Sequence, residues 1–357
     1  MIFMAQDKPL KFGVIGAGKI GTFHTRTLAN MKGVSLVGVC DPDLMRAQKL
    51  AWEHNCTPYS KPEELVGQVD AVIVAAPTQL HHQIGMYCLE HGVHTLVEKP
   101  IAVTMQEARD LIQCAKRQGL VLQVGHVERF NPAVVEAVKY IEDPRFITIT
   151  RQGPYDGRMA NISVVLDLMI HDLDLLYTIV PSEVVSIDAV GLSVFSPHED
   201  IANVRLHFAN GAVADVTASR ASFERARFMH LFQPSGYVSV DFMNARVKTY
   251  RKEKPVIENM NDLTVTYPKV EKQLPITAEI LHFIDCIKTA KTPAPSGEKG
   301  MKALDLALQI CEKMNRFDIP KTGHLHTPRP LQAISTVARA AQAVLDETLG
   351  HLKGDDK

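Results

Sequence analysis

The chain has 357 residues, 46% of them hydrophobic and 22% charged, with a formal net charge of -1. That composition belongs to a soluble globular protein with room for two or so domains, and it excludes disorder and fibrous designs. No long run of one charge sign is present, so neither nucleic acid nor a membrane surface is expected as a partner.

No apolar run is long enough to span a bilayer, and Met1 to Leu10 lacks the layout of a signal peptide, so a cytoplasmic location is expected. Six cysteines are scattered without a Cys-x-x-Cys pair, which argues against a zinc ribbon or a redox dithiol. Cys40, Cys88 and Cys114 lie in apolar patterns and read as reduced core residues. His81-His82 and the other histidines have no spaced ligand set around them, so no metal is expected.

Lys11 to Ile15 reads as a strand running straight into Gly16-Ala17-Gly18-Lys19-Ile20-Gly21, the G-x-G-x-x-G spacing of a dinucleotide-binding turn. Gly16 permits the tight turn, Gly18 lets the backbone approach a pyrophosphate, and Gly21 lets the next helix pack close to the strand. Phosphates would meet the amides at the helix start. Such glycines can also simply make a turn, but the context favours a nucleotide: Val34 to Cys40 reads as a second strand, and Asp41 closes it twenty residues after Gly21. A carboxylate there can accept from both adenosine ribose hydroxyls and repels a 2'-phosphate, which favours NAD over NADP. Asp41 is also placed to cap the helix after Pro42.

The alternation continues with helices near Pro42 to His54, Leu80 to His91 and Met105 to Gln118, and with strands at Ala71 to Ala75, Val93 to Glu98 and Leu120 to Val124. Repeated units of this kind imply a parallel, doubly wound sheet whose ligands collect beyond the carboxyl ends of the strands. Ala76-Pro77-Thr78, with His81 just inside the next helix, follows one such end, and Glu98-Lys99-Pro100 follows the next. A lysine placed there can bind a substrate hydroxyl or share its proton; a surface salt bridge is the competing reading.

Gly125-His126-Val127-Glu128-Arg129-Phe130-Asn131-Pro132 is turn-rich and marks a boundary, giving an expected first domain over 1–127 and a second over 128–327. A helix near Ala133 to Ile141, a strand at Phe146 to Arg151 and a glycine-containing loop at Gln152 to Asn161 come next. Val164 to Val180 is then apolar around most of its circumference, as a core helix is, yet it carries Asp167, His171 and Asp174 at spacings of four and three, on one face at helical pitch. A carboxylate one turn before an imidazole can fix its tautomer and raise its basicity, as a general base requires. The competing reading is a buried helix whose polar groups satisfy neighbouring turns.

Beyond Pro181 strands dominate: Val184 to Val190, Asn203 to Phe208, Ala212 to Ala218, Arg227 to Gln233, Tyr237 to Asp241 and Arg246 to Tyr250. Asn210-Gly211 and Ser235-Gly236 are turn pairs, so a largely antiparallel sheet is expected as the wall opposite the cofactor. Arg220, Arg225 and Arg227 cluster in one connection, where they could grip a phosphate or be solvated. Helical patterns return at Ile276 to Thr289 and Glu298 to Asn315, and 328–357 reads as a helical extension with an apolar stripe from Leu331 to Leu352.

Taken together, Gly16 to Gly21, Ala76-Pro77-Thr78 with His81, Glu98-Lys99-Pro100 and Asp167-x-x-x-His171-Asp172 resemble the glucose-fructose oxidoreductase, inositol dehydrogenase and MocA-like family over about Lys11 to Phe317. The resemblance implies an N-terminal Rossmann domain and a C-terminal α+β domain on an open sheet that faces the active site and often makes oligomer contacts. A homo-oligomer, dimer or tetramer, is expected on that basis. It also implies NAD held by Gly16, Ala17, Gly18, Lys19, Ile20, Gly21, Asp41, Ala76, Pro77, Thr78, His81, Glu98 and Lys99. Lys99, Asp167 and His171 are implied as the catalytic set that holds a sugar hydroxyl over the nicotinamide, with a Lys99-Pro100 bond that is often cis in relatives.

Within the family, the segment from Gly125 to Pro132 looks most like the nucleotide amino-sugar 3-dehydrogenases that act on UDP-N-acetylglucosamine. Such a substrate needs a pocket for its acetamido group and an anion site for its diphosphate, for which Arg158 and Arg220, Arg225 or Arg227 are the candidates; Arg129 and Asn131 join Arg158 and Arg227 as expected substrate-binding residues. The expected reaction is NAD-dependent oxidation of a secondary hydroxyl, at C3, in envelope-sugar synthesis. A dehydrogenase of a free sugar or inositol is the alternative enzyme, and a dinucleotide-binding regulatory protein without turnover is the alternative of another class.

Overall fold

In the computed structural model, which describes residues 8–157 and 161–317, the first half of the chain winds strand and helix alternately. The elements are β1 (Leu10–Ile15), α1 (Lys19–Ala29), β2 (Val34–Cys40), α2 (Leu44–His54), β3 (Thr57–Tyr59), α3 (Pro62–Val66), β4 (Ala71–Val74), α4 (His81–Glu90), β5 (His94–Glu98), α5 (Met105–Gln118) and β6 (Leu122–Gly125). The six strands form one parallel sheet in the order β3-β2-β1-β4-β5-β6. β4 is apolar at every position and wholly buried, as a parallel strand covered on both faces must be. The order reverses between β1 and β4, so the crevice for a ligand opens where Gly16 and Ala76 leave their strands.

Local signals fix the helix ends. Thr104 and Glu107 form a capping box at the start of α5, and Gly119 closes it with φ +66°. At the start of α2 the cap is Asp43, whose carboxylate accepts from the Arg46 amide, not Asp41. The short β3 and α3 escape the periodicity argument because neither is long enough to show a period.

The chain then runs through α6 (Pro132–Ala137), β7 (Phe146–Gln152), a π-helical turn (Val165–Met169) continuous with α7 (Ile170–Ile179), β8 (Val184–Leu192), β9 (Ile201–Phe208), β10 (Val213–Ser219), β11 (Ala226–Gln233), β12 (Gly236–Asp241), β13 (Arg246–Lys252), β14 (Leu263–Thr266), α8 (Pro275–Thr289), α9 (Gly297–Lys313) and β15 (Asn315–Phe317). Nine strands make a second sheet in the order β14-β13-β12-β11-β7-β10-β9-β8-β15. It is antiparallel except where β7 meets β10 and β8 meets β15. Burial alternates along its strands: Ile147, Ile149, Met229 and Leu231 face a core shared with α7 and α9, while Phe146, Phe228 and Phe232 are exposed.

Two late helices cross back over this division. Ile280, Phe283 and Cys286 of α8 pack against Phe12, Val14 and Leu96 of the first sheet, with the Phe12 and Phe283 rings edge to face at 6.1 Å. α9 serves both cores, with Leu304 in one and Ala303, Leu306, Ala307 and Ile310 in the other. All six cysteines are free, and burial pushes the Cys40 and Cys88 thiols up to about 12. Among the described residues no helix is long and apolar enough to cross a membrane. The helix expected over 328–357 lies outside the described residues.

Candidate active site

The nucleotide cradle follows from three glycines. Gly16 sits at φ +107°, where a Cβ would fall 2.5 Å from the Ala75 carbonyl oxygen. A Cβ on Gly21 would collide with the Gly16 carbonyl oxygen, so α1 can approach β1 this closely only without a side chain there. Gly18, the cap of α1, has nothing within 4 Å of a built Cβ, and Lys19 and Ile20 beside it are exposed. The turn is thus open at Gly18, where a pyrophosphate has to approach the backbone. Asp41 is buried next to the turn, accepting from the Ala17 amide at 2.7 Å and the Asp43 amide at 2.9 Å. A dinucleotide fits this arrangement: small residues where phosphates must approach, and a carboxylate where a ribose must be held.

At the next two strand ends, Pro77 is exposed, and Ala76 and Thr78 are half-buried. His81 behaves differently from the expectation of a cofactor ligand. Its ring is 1% exposed, and its nitrogens lie 2.8 Å from the Pro100 and the Ala76 carbonyl oxygens. Burial holds this imidazole below its usual range, so the neutral ring donates to only one of them at a time. His81 is a strap between the two loops. Glu98 likewise turns inward, bonded to His24 Nε2 at 2.7 Å and accepting from the Lys99 amide at 3.2 Å.

Lys99 and Asp167 meet where the first sheet ends against the long apolar helix, His171 follows one turn along that helix, and the Lys99-Pro100 peptide is cis. Lys99 Nζ donates to the Asp167 carbonyl oxygen at 2.6 Å and stands 3.6 Å from its carboxylate. The contact falls on the π-helical turn, where the wider winding re-aims a residue relative to regular helical pitch. The expected Asp167 to His171 pairing is therefore corrected: among the described residues Asp167 serves Lys99, and His171 Nδ1 has no hydrogen-bond partner. Burial, with the Lys99 and Arg151 charges added, holds His171 well below the usual histidine range. It is a neutral imidazole, the state of a proton acceptor.

The third residue of the expected stripe has another use. Asp174 forms a two-pronged pair with Arg129, from Nε and Nη2, at 2.6 Å each. Arg129 is thus held inside, and Asn131 caps α6 through its oxygen while its amide donates to Glu128 and to the Phe242 carbonyl. Arg220 is buried against Asp200 and Ser196. Each of these three is engaged within the fold. Arg227 is the exception among the described candidates, with 41% of its side chain exposed and one 3.4 Å contact to Glu128; Arg225 is exposed beside it. Arg158 lies outside the described residues.

Two groups that sequence reasoning missed stand behind His171. Arg151 of β7 is buried between Asp172, with both carboxylate oxygens engaged, and Glu128 at 2.7 Å. His126 is 1% exposed, its ring edge-on to His171 at 6.4 Å; neither of its nitrogens makes a hydrogen bond, and Nδ1 stands 3.9 Å from the Asp174 carboxylate. The charged run Glu128-Arg129 in a turn held the only signal for the first, and nothing in the local pattern marked His126 as buried. A cavity of about 480 Å³ lined by Thr78, Gln79, Pro100, Ser163 and Leu166 adjoins the strand ends and the π-helical turn.

Comparison with known proteins bears on this geometry. Residues 10–126 match a family described as oxidoreductase family, NAD-binding Rossmann fold, and residues 147–236 match one described as GFO/IDH/MocA C-terminal domain. The chain is similar to a UDP-N-acetylglucosamine 3-dehydrogenase of Acidithiobacillus ferrooxidans, 33% identical over 313 residues, covering 86% of this chain and 98% of the relative. The solved structure of that enzyme superposes with a TM-score of 0.81, covering 85% and 97% of the two chains. A myo-inositol 2-dehydrogenase of Thermotoga maritima is 28% identical, covering 83% of this chain and 93% of the relative.

Proposed function

The chain belongs to the Gfo/Idh/MocA family of NAD-binding oxidoreductases, and from that premise we propose that it oxidises the C3 hydroxyl of a UDP-linked amino sugar, such as UDP-N-acetylglucosamine, to a ketone. The observation that carries the substrate is the 33% identity over 98% of a relative that acts on that sugar. Relatives that are named dehydrogenases favour turnover over a regulatory role.

Gly16 to Gly21 would hold the pyrophosphate of the dinucleotide, Asp41 its adenosine ribose, and the loops after Val74 and Glu98 its nicotinamide end. Bound NAD supplies the hydride acceptor for the carbon that bears the hydroxyl. The protein's part is to take the hydroxyl proton and to stabilise charge on the oxygen. His171, neutral and only half-buried, accepts that proton. Lys99 binds the same oxygen and stabilises its developing negative charge, with Asp167 holding the ammonium in place. Arg227 and Arg225 meet the diphosphate. The 3-keto product would suit an aminotransferase that follows in envelope-sugar synthesis in the cytoplasm. The exposed aromatic face of the second sheet, with Phe146, Phe228 and Phe232, supports a homo-oligomer.

The test is nicotinamide reduction with NAD and UDP-N-acetylglucosamine, run beside UDP, free N-acetylglucosamine, glucose and myo-inositol, with mass spectrometry of the nucleotide product. A product two hydrogens lighter, formed only from the UDP-sugar, is expected. Reduction from myo-inositol alone would favour the second reading, a polyol dehydrogenase, to which the inositol 2-dehydrogenase relatives point.

A further inference from the structure

Beneath the Glu98-Lys99 turn lies an ionisable cluster that the hydroxyl site does not use. His24 of α1, Glu98 of β5 and Glu279 near the start of α8 bring a ring nitrogen and two carboxyl groups within 4.8 Å of one another. His24 and Glu279 are each 0% exposed. His24 Nε2 and Glu98 Oε1 close directly at 2.7 Å, and the other Glu98 oxygen accepts from the Lys99 amide. Both carboxyl oxygens of Glu279 lack a hydrogen-bond partner. The side-chain amide of Gln123 in β6 donates to the Glu279 main-chain carbonyl at 3.2 Å.

Two ionised carboxylates this close are costly together, because each charge raises the cost of the other and Glu279, fully buried, has no water to solvate it. One of them has to be neutral, and the surroundings choose which. Burial opposes charge on Glu98, but the His24 hydrogen bond and the Lys99 ammonium outweigh it and hold that carboxyl below its usual range. Glu279 has only burial and the Glu98 charge acting on it, and both push it well above.

We propose that Glu279 is a positioning residue: as a neutral carboxylic acid it shares its proton with Glu98, and so fixes the carboxylate that orients the Lys99 turn. Glu98 then has three partners, His24 at one oxygen, the Lys99 amide at the other, and the Glu279 hydroxyl as the third. The link to turnover rests on Lys99 acting at the substrate oxygen as proposed above; the link to the proton does not.

The experiment compares the full chain with Glu279→Gln and Glu279→Leu. The parent should show the carbonyl stretching band of a protonated carboxyl in infrared difference spectra at neutral pH, and Glu279→Gln should lose it. Gln, a neutral donor of the same shape, should keep the melting temperature and hold kcat within about threefold across the pH profile, whereas Leu, folded but without a donor, should lose roughly tenfold in kcat with KM for NAD unchanged. Collapse of the Gln variant would show that a charged carboxylate is needed and overturn the proposal. Stoichiometric divalent metal in the parent, absent from Glu279→Gln by elemental analysis, would overturn it too. The infrared, melting and metal readouts need no substrate, so a wrong sugar cannot be mistaken for a wrong proton.

Discussion

The ammonium of Lys99 lies 2.6 Å from the main-chain carbonyl of Asp167 and 3.6 Å from its carboxylate, so two segments 68 residues apart in the chain are joined at one cation. The carboxylate expected to orient His171 instead orients Lys99. The lysine is consequently the residue whose geometry Asp167 controls.

Lys99→Met should lower kcat by roughly 10²–10⁴-fold while leaving NAD affinity near the parent's, since the glycine turn is untouched. Asp167→Asn should cost less in the parent and almost nothing in a Lys99→Met background, because its effect passes through the lysine. Steady-state kinetics on the four chains measure the coupling. Additive losses would show that Asp167 acts on something else.

For His171 the sign of the pH effect follows from burial. Its folded form resists protonation while the unfolded imidazole titrates near the ordinary value of 6.5. Below that pH the unfolded chain binds a proton that the folded chain refuses, so stability rises with pH through the window under 6.5 and is lost as pH falls. His126 and His81, also held below the usual range by burial, add to the slope. Thermal unfolding across that window should show a shallower fall for His171→Gln than for the parent. His171→Ala should in addition abolish turnover at every pH, with NAD still bound.

Asp41 accepts from the Ala17 amide while it waits beside the glycine turn, and a ribose would bring it charge-assisted hydrogen bonds worth about 1.5–3 kcal/mol. Asp41→Ala should therefore weaken NAD by roughly tenfold to a hundredfold and NADP much less. Isothermal titration with both nucleotides checks this; an unchanged preference would mean that another group reads the ribose.

Arg129 and Arg227 should part company. Arg129→Ala leaves Asp174 buried without its partner and should cost about 3–5 kcal/mol of stability, read by denaturant unfolding. Arg227→Ala removes a half-exposed side chain with one long contact, so stability should change by about 0.5 kcal/mol or less, while KM for a UDP-sugar rises with kcat nearly constant. A KM effect at Arg129 without loss of stability would reverse the assignment.

The parallel sheet, its glycine turn and the strand-closing Asp41 were legible in the sequence because each rests on a local rule: period, turn chemistry, and a spacing of twenty residues. The same holds for most strands of the second sheet, whose apolar positions alternate and whose ends carry Asn210-Gly211 and Ser235-Gly236. What the sequence could not decide was the use of each charge. Asp167, His171 and Asp174 look like one stripe, yet a π-helical turn and three separate neighbours send them to Lys99, to no Nδ1 partner, and to Arg129. Arg220 and Asn131 looked free for a ligand and are consumed by Asp200 and by a helix cap. Glu279 sat unnoticed in an amphipathic helix until α8 folded back onto the first sheet and set it against Glu98. Periodicity and turn chemistry act within a few residues, whereas a charge is assigned by whichever opposite group the packed chain brings within about 4 Å of it, and that is settled only when the two sheets and their shared helices close.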